Sequence, residues 1–86
     1  MNMKDTPTIT IYSAPWCAFC HMAKHYLDGL KISYKDINVD SDPNAAQELV
    51  AKTGQAGIPV IEIGDKTIIG FNKAEIDSAL KANKLS

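Results

Sequence analysis

The sequence predicts an α/β layer fold, with a mixed four-stranded sheet flanked by three helices in the order βαβαββα. Three observations carry that expectation. Apolar residues change from alternation to a helical spacing within the first thirty residues. The same strand-then-helix change recurs once more. The chain then closes with two strand-like segments joined by Gly64-Asp65, a pair suited to a two-residue hairpin turn.

Each element has its own signal. Thr8–Tyr12 (TITIY) alternates and is rich in β-branched residues, as a half-buried strand requires. Phe19, Met22, Ala23, Tyr26, Leu27 and Leu30 then fall on one face of a helix, with Gly29 suited to its C-terminal end. Ile32–Val39 reads as the second strand. Asp42-Pro43 opens a second helix, with Asp as the cap and Pro in the first turn. That helix runs through Ala46, Leu49 and Val50 and stops at Gly54. Pro59–Ile63 and Lys66–Ile69 form the hairpin. Asn72 caps the last helix, with Glu75 in capping-box position and Phe71 and Ile76 placed as a hydrophobic staple. The first two strands are joined through a helix, so they should pair in parallel by a right-handed crossover.

Composition narrows the function. Eighty-six residues suit a single domain spanning 1–86. Nine Lys and Arg against ten Asp and Glu leave a net charge of −1, which makes no case for nucleic acid or an anionic membrane surface. Apolar runs are far too short for a membrane span. Met1–Thr6 has no apolar stretch of the kind a secretory signal needs, so a cytoplasmic, reducing setting is expected. A monomer is the separate expectation for its assembly.

In that setting the two cysteines, Cys17 and Cys20, ask for a chemical explanation. A bridge closing so short a loop would stabilise little. Cys17 falls where the first helix begins, and a helix start offers unpaired N–H groups and the positive end of the dipole. Both favour a thiolate, so moderate acidification of Cys17 is expected. Lys24 lies two turns on, about 10 Å away by helical rise, too far to add to it. On a helical wheel Cys20 sits at the edge of the apolar face, and Cys17 lies further round, toward solvent. An exposed first sulfur attacks and a sheltered second one resolves, which assigns Cys17 as nucleophile and Cys20 as resolving thiol. A C-x-x-C between a strand and an amphipathic helix is the arrangement that this redox chemistry uses.

The segment Tyr12-Ser13-Ala14-Pro15-Trp16-Cys17-Ala18-Phe19-Cys20 resembles the active-site segment of the glutaredoxin branch of the thioredoxin superfamily. Gly57-Ile58-Pro59-Val60 resembles the stretch where that family carries a cis-proline facing the sulfurs. Ile68-Ile69-Gly70-Phe71 resembles its glycine-bearing turn into the last helix. The resemblance implies a thioredoxin fold and disulfide reduction. It also implies disulfide-bearing protein substrates, no tightly bound cofactor, and glutathione as reductant or co-substrate. The substrate side would then comprise Tyr12, Trp16, Ile58, Pro59, Gly70 and Phe71. Ala14 stands near the position where glutaredoxins often have a lysine. Gly70-Phe71 replaces the usual double glycine, and the acidic residue that normally follows is missing. The Gly-Phe turn is closer to glutaredoxin-like redoxins that serve ribonucleotide reductase and are recharged by thioredoxin reductase.

Plainer roles stand beside these. Pro59 also suits a strand start, Trp16 is read as a lid over the sulfurs, and Tyr12 fits packing and site lining equally. Phe19 is assigned to the core, and Phe71 is explained by the staple. Cys17-Ala18-Phe19-Cys20-His21 matches the haem-attachment pattern C-x-x-C-H, which belongs with exported, mostly helical chains. Zinc on Cys17, Cys20, His21 and His25 fits by ligand type, but these helical positions cannot all face one centre. His21 and His25 are therefore read as solvent-facing, and Lys81 and Lys84 as part of a solvated face. A metal or iron–sulfur cluster carrier using the two sulfurs is the alternative of another class.

Overall fold

The structure is a computed structural model that describes residues 9–55 and 57–83. Met1–Thr6, Thr8 and Lys84 lie outside the described residues. Strand β1 (Ile9–Ser13) leads into helix α1 (Ala18–Gly29), then strand β2 (Lys35–Asn38) and helix α2 (Pro43–Thr53). Strands β3 (Val60–Ile63) and β4 (Lys66–Ile69) and helix α3 (Lys73–Ala82) complete the expected order. The sheet runs β2-β1-β3-β4. β1 and β2 are parallel, with Ile11 opposite Asp36. β3 is antiparallel to β1 and to β4, with Ile61 opposite both Ile11 and Ile68.

The period-2 alternation of the strands sorts the core onto two faces. Ile9, Ile11, Ile61, Ile63 and Ile68 point to one face and pack on Ala23 and Leu27 of α1 and Ile76, Ala79 and Leu80 of α3. Tyr12 and Val60 point to the other, against Ala45 and Leu49 of α2. Each fully buried aliphatic side chain contributes on the order of 1.5–3 kcal/mol. In α2 the buried residues are Ala45 and Leu49, while Val50 is exposed. At the hairpin, Gly64 has φ +58°, which favours glycine in the turn, and a Cβ there would meet Asn83 Oδ1 at 2.6 Å and displace that side chain.

The helix ends follow their sequence signals with two exceptions in detail. Asp42 accepts from the Ala45 amide at 3.1 Å, and α2 ends at Gly54 in the left-handed conformation. At α3, Asn72 accepts from the Glu75 amide at 3.1 Å. The Glu75 carboxylate closes the box on the Asn72 side-chain amide at 3.2 Å, because the Asn72 backbone N–H is held by the Gly70 carbonyl.

The second exception corrects the second strand, which is expected over Ile32–Val39 but forms only at Lys35–Asn38. Helix α1 closes in a Schellman motif: Ile32 N–H donates to Leu27 C=O and Lys31 N–H to Asp28 C=O, at 3.1 and 3.0 Å. The left-handed residue is Lys31, at φ +61°, two positions beyond Gly29. Ile32 is thus committed to the helix end and packs on the cluster that contains Leu27. Strand pairing begins at Lys35, opposite Thr10. A side chain at positive φ costs about 1–2 kcal/mol, part of which glycine returns through greater freedom in the unfolded chain. Lys31→Gly is expected to stabilise the fold by about 0.5–1 kcal/mol, raising the thermal midpoint by about 3–6 °C. A midpoint that falls in a calorimetric scan would show that Lys31 does not carry this strain.

Candidate active site

The site grows from the C-terminal end of β1. After Ser13 the chain turns through Ala14–Trp16, and Cys17 N–H donates to Ala14 C=O at 3.1 Å. Cys17 has extended backbone angles (φ −90°, ψ 108°) and is the N-cap of α1. Its carbonyl accepts the first intrahelical bond, from His21 N–H at 3.2 Å. Its Sγ accepts the Cys20 N–H at 3.1 Å, so sulfur fills the place that a serine or aspartate oxygen usually takes. Negative charge on that sulfur would sit at the positive end of the α1 dipole.

Cys17 and Cys20 are paired as a disulfide, with Cα atoms 5.2 Å apart. Cys20 is 0 % exposed and Cys17 7 %. This corrects the picture of Cys17 lying out toward solvent. As the cap it stands outside the regular wheel, with its N–H tied back to Ala14 in the turn that leaves β1. The order of exposure nevertheless remains Cys17 before Cys20. Phe19 is also corrected: it is 60 % exposed. The buried line of α1 is Cys20, Ala23 and Leu27. Phe19 lies about 70° off the centre of that line, on the side of exposed Met22 and Leu30, with which it forms a second apolar stripe.

The other candidate residues come to the same end of the sheet by register. Val60 pairs with Tyr12, which places Pro59 beside the end of β1, and the Ile58–Pro59 peptide is cis. Gly70 N–H donates to Pro59 C=O at 2.8 Å, tying the start of α3 to the same point. Ile58 is half-buried against the Tyr12 cluster. Phe71 packs edge-on to Tyr26, with ring centroids 6.1 Å apart, and onto the core that holds Ile76, as the staple requires. Tyr12 is buried, and its hydroxyl accepts from Lys52 Nζ at 3.1 Å, which favours packing over site lining. Trp16 is 70 % exposed beside Cys17. His21 is exposed, with Nε2 at 2.8 Å from Pro15 C=O, and His25 and Lys81 are exposed as well.

Several polar partners in this region are invisible to a motif reading. Asp40, just after β2, accepts from the Trp16 indole N–H at 2.7 Å and so fixes the ring. Lys52 bridges Tyr12 and Glu62, whose hydrogen bonds raise its affinity for its proton against the opposing effect of burial. Ser13, Lys24 and Asp36 form a further cluster between the end of β1, α1 and β2. Tyr34 is pushed up to about 12, by burial first and then by Asp28 and Asp36. Asp40 is the one with some local signal: it follows a strand end, and its amide is anchored by the Asn38 side chain. Among the described residues no three His, Cys, Asp or Glu side chains are grouped to hold a metal ion, and no helix is long and apolar enough to cross a membrane.

Comparison with known proteins places this geometry. Residues 9–68 match the glutaredoxin family model. The glutaredoxin-like 8.6 kDa protein in the rubredoxin operon of Clostridium pasteurianum is 42% identical over 73 residues, covering 85% of this chain and 97% of that one. The glutaredoxin of Neisseria meningitidis serogroup A is 38% identical over 65 residues, covering 74% and 76%. Among solved structures, the glutaredoxin-like NrdH-redoxin from Escherichia coli superposes with a TM-score of 0.77 at 35% identity, covering 83% of this chain and 92% of that chain.

The sulfur cap has a measurable consequence in the reduced protein. Cys17→Ala removes the acceptor for the Cys20 N–H and is expected to cost about 1 kcal/mol, whereas Cys17→Ser keeps an acceptor and should stay close to the reduced parent. Equal thermal midpoints for the two variants would show that the side chain at this position does not cap α1.

Proposed function

The chain belongs to the glutaredoxin family of thiol–disulfide oxidoreductases, and from that premise we propose a dithiol cycle in which Cys17 attacks and Cys20 resolves. The observation that carries this reading is the placement of the two sulfurs. Cys17 caps α1 at its positive end and retains some exposure, while Cys20 is fully enclosed one turn on. The Cys17 thiolate attacks a substrate disulfide, forming a Cys17 mixed disulfide and releasing one substrate sulfur as thiolate. The Cys20 thiolate then attacks the Cys17 sulfur. The internal disulfide forms, the bond to substrate breaks, and the second substrate sulfur leaves with the electron pair and is protonated. The substrate is reduced by two electrons and the protein oxidised by two.

We assign Trp16, Ile58, Pro59 and Gly70 to the substrate side, and Tyr12 and Phe71 to holding those residues in place. The backbone beside Pro59 lies at the end of a sheet, where an extended peptide can add by strand pairing. Such a dithiol suits the cytoplasm, where reduced partners recharge it.

The electron donor is either glutathione or thioredoxin reductase. Glutathione carries two carboxylates and an ammonium and needs charged partners close to the sulfur. Here Trp16, Phe19 and Met22 present apolar surface along the start of α1, and Asn72 is committed to capping α3. That favours a protein donor, in line with the NrdH-redoxin likeness. Glutathione remains the reading favoured by the glutaredoxin relatives.

Two measurements test the proposal. Cys20→Ser should accumulate a stable mixed disulfide at Cys17, seen by intact mass, with multiple-turnover reduction of protein disulfides lost. Loss of the first attack in that variant would reverse the assignment. NADPH oxidation with a small disulfide, recharged by glutathione and glutathione reductase or by thioredoxin reductase alone, then names the donor.

A further inference from the structure

The end of β1 carries a polar cluster that the cycle above leaves without a task. Ser13 is 2 % exposed, and its hydroxyl donates to Asp36 Oδ1 at 2.6 Å. Lys24 Nζ donates to Asp36 Oδ2 at 2.9 Å and reaches Ser13 Oγ at 3.4 Å. The Lys24 side chain is 19 % exposed, so this ammonium is drawn inward along its helix instead of extending into water.

The direction in which it is drawn matters. Lys24 follows Cys20 by one helical turn, which places their Cβ atoms about 5–6 Å apart on neighbouring faces. Side chains on a helix lean toward its N-terminus. Ser13 is the last residue of β1, at the end of the sheet that holds the cysteines, so its contact steers the ammonium the same way. Cys20 is fully buried, and burial opposes ionisation of a thiol. A nearby cation offsets that penalty.

We propose that Lys24, held in place by Ser13 and Asp36, is the cation that favours the Cys20 thiolate in the resolving step. The inference rests on the assignment of Cys20 as resolving thiol. In that step Cys20 gives up its proton to solvent, and the thiolate attacks Cys17 as described above. Lys24 changes the proportion of thiolate and exchanges no atoms or electrons itself. Ser13 and Asp36 act as positioning residues for Lys24. Burial pushes the Asp36 carboxyl up, but hydrogen bonds from Ser13 and Lys24 and the charges of Lys24 and His21 outweigh it and hold the group below the usual carboxylate range. Asp36 therefore stays ionised at neutral pH and cancels part of the field of Lys24. Other groups facing this region are His21, His25 and Asp28 on α1, and Tyr34 ahead of β2. On the α3 flank stand Lys73 over the Tyr26 ring and Asp77, which accepts from the Tyr26 hydroxyl.

The cancellation gives the test its sign. In a Cys17→Ser background, Cys20 is titrated alone by following its 13Cβ shift with pH in NMR spectra. Adding Lys24→Met should raise the midpoint by about one unit, a tenfold loss of thiolate, and Lys24→Arg should restore it. Asp36→Asn should lower the midpoint, because it frees the field of Lys24. General loosening of the cluster would instead move both variants in one direction, and that result, or a midpoint unmoved by Lys24→Met, overturns the proposal. In the dithiol protein at pH 7, Lys24→Met should slow release of the second substrate thiol by about threefold, since higher basicity returns part of the lost nucleophilicity, and leave the first attack within about twofold. An unchanged release rate also overturns it. The titration involves no disulfide exchange, so a wrong role for Cys20 appears separately, in the Cys20→Ser trapping assay.

Discussion

The contact between the Cys17 sulfur and the Cys20 amide sets where helix α1 starts, and much of the site follows from that starting point. Because sulfur fills the cap, the first residue of the pair has strand-like backbone angles and the second is already helical. One faces the turn that leaves β1, and the other faces the sheet. The same turn exposes Trp16, while register brings Pro59 and Gly70 to the end of β1. A single unpaired backbone N–H at a helix start, of the kind every helix must satisfy, is thus met by the sulfur to which we assign the first attack.

Charged and apolar groups divide the surroundings between them. Trp16, Phe19 and Met22 line the outer surface of the segment. Ionic and hydrogen-bonded pairs lie beneath or beside it, each joining residues far apart in sequence: Lys24 with Asp36, Trp16 with Asp40, Lys52 with Tyr12 and Glu62. Exposed pairs of this sort contribute little to stability, about 0–1 kcal/mol each. What they fix is orientation, most clearly at the Trp16 ring.

The architecture was legible wherever local signals agreed. The caps at Asp42 and Asn72, the Gly64 turn and the isoleucine alternation all lead to the observed elements, because each depends only on residues within a few positions. The second strand is shorter than its β-forming residues suggest, because Ile32 is taken by the close of α1 through Lys31, a residue type that rarely adopts that conformation. Phe19 is exposed although it lies on the apolar arc of α1, because a helical wheel shows the arc but not how much of it a neighbour covers. At the site the cysteines were readable from spacing. Asp40, Asp36 and Lys52 were not, since their partners lie 10 to 40 residues away and meet only after the sheet has formed. Lys24 stands two turns from Cys17 but one turn from Cys20, so its place beside the second cysteine is not visible in a reading centred on the first.

The two faces of the sheet are unequally filled. Among the described residues, ten buried side chains join the sheet to α1 and α3, whereas the α2 side holds Tyr12, Ala45, Leu49 and Val60. Local opening follows the weaker layer, so amide protons along α2 should trade with solvent ahead of those in α1 and α3. Asp40 sits in the connection that leads into that layer, and the Trp16 ring is anchored there. Opening of that layer would release the indole while β1, β3 and α1 keep the sulfur pair assembled, so the rim of the site would loosen before its centre.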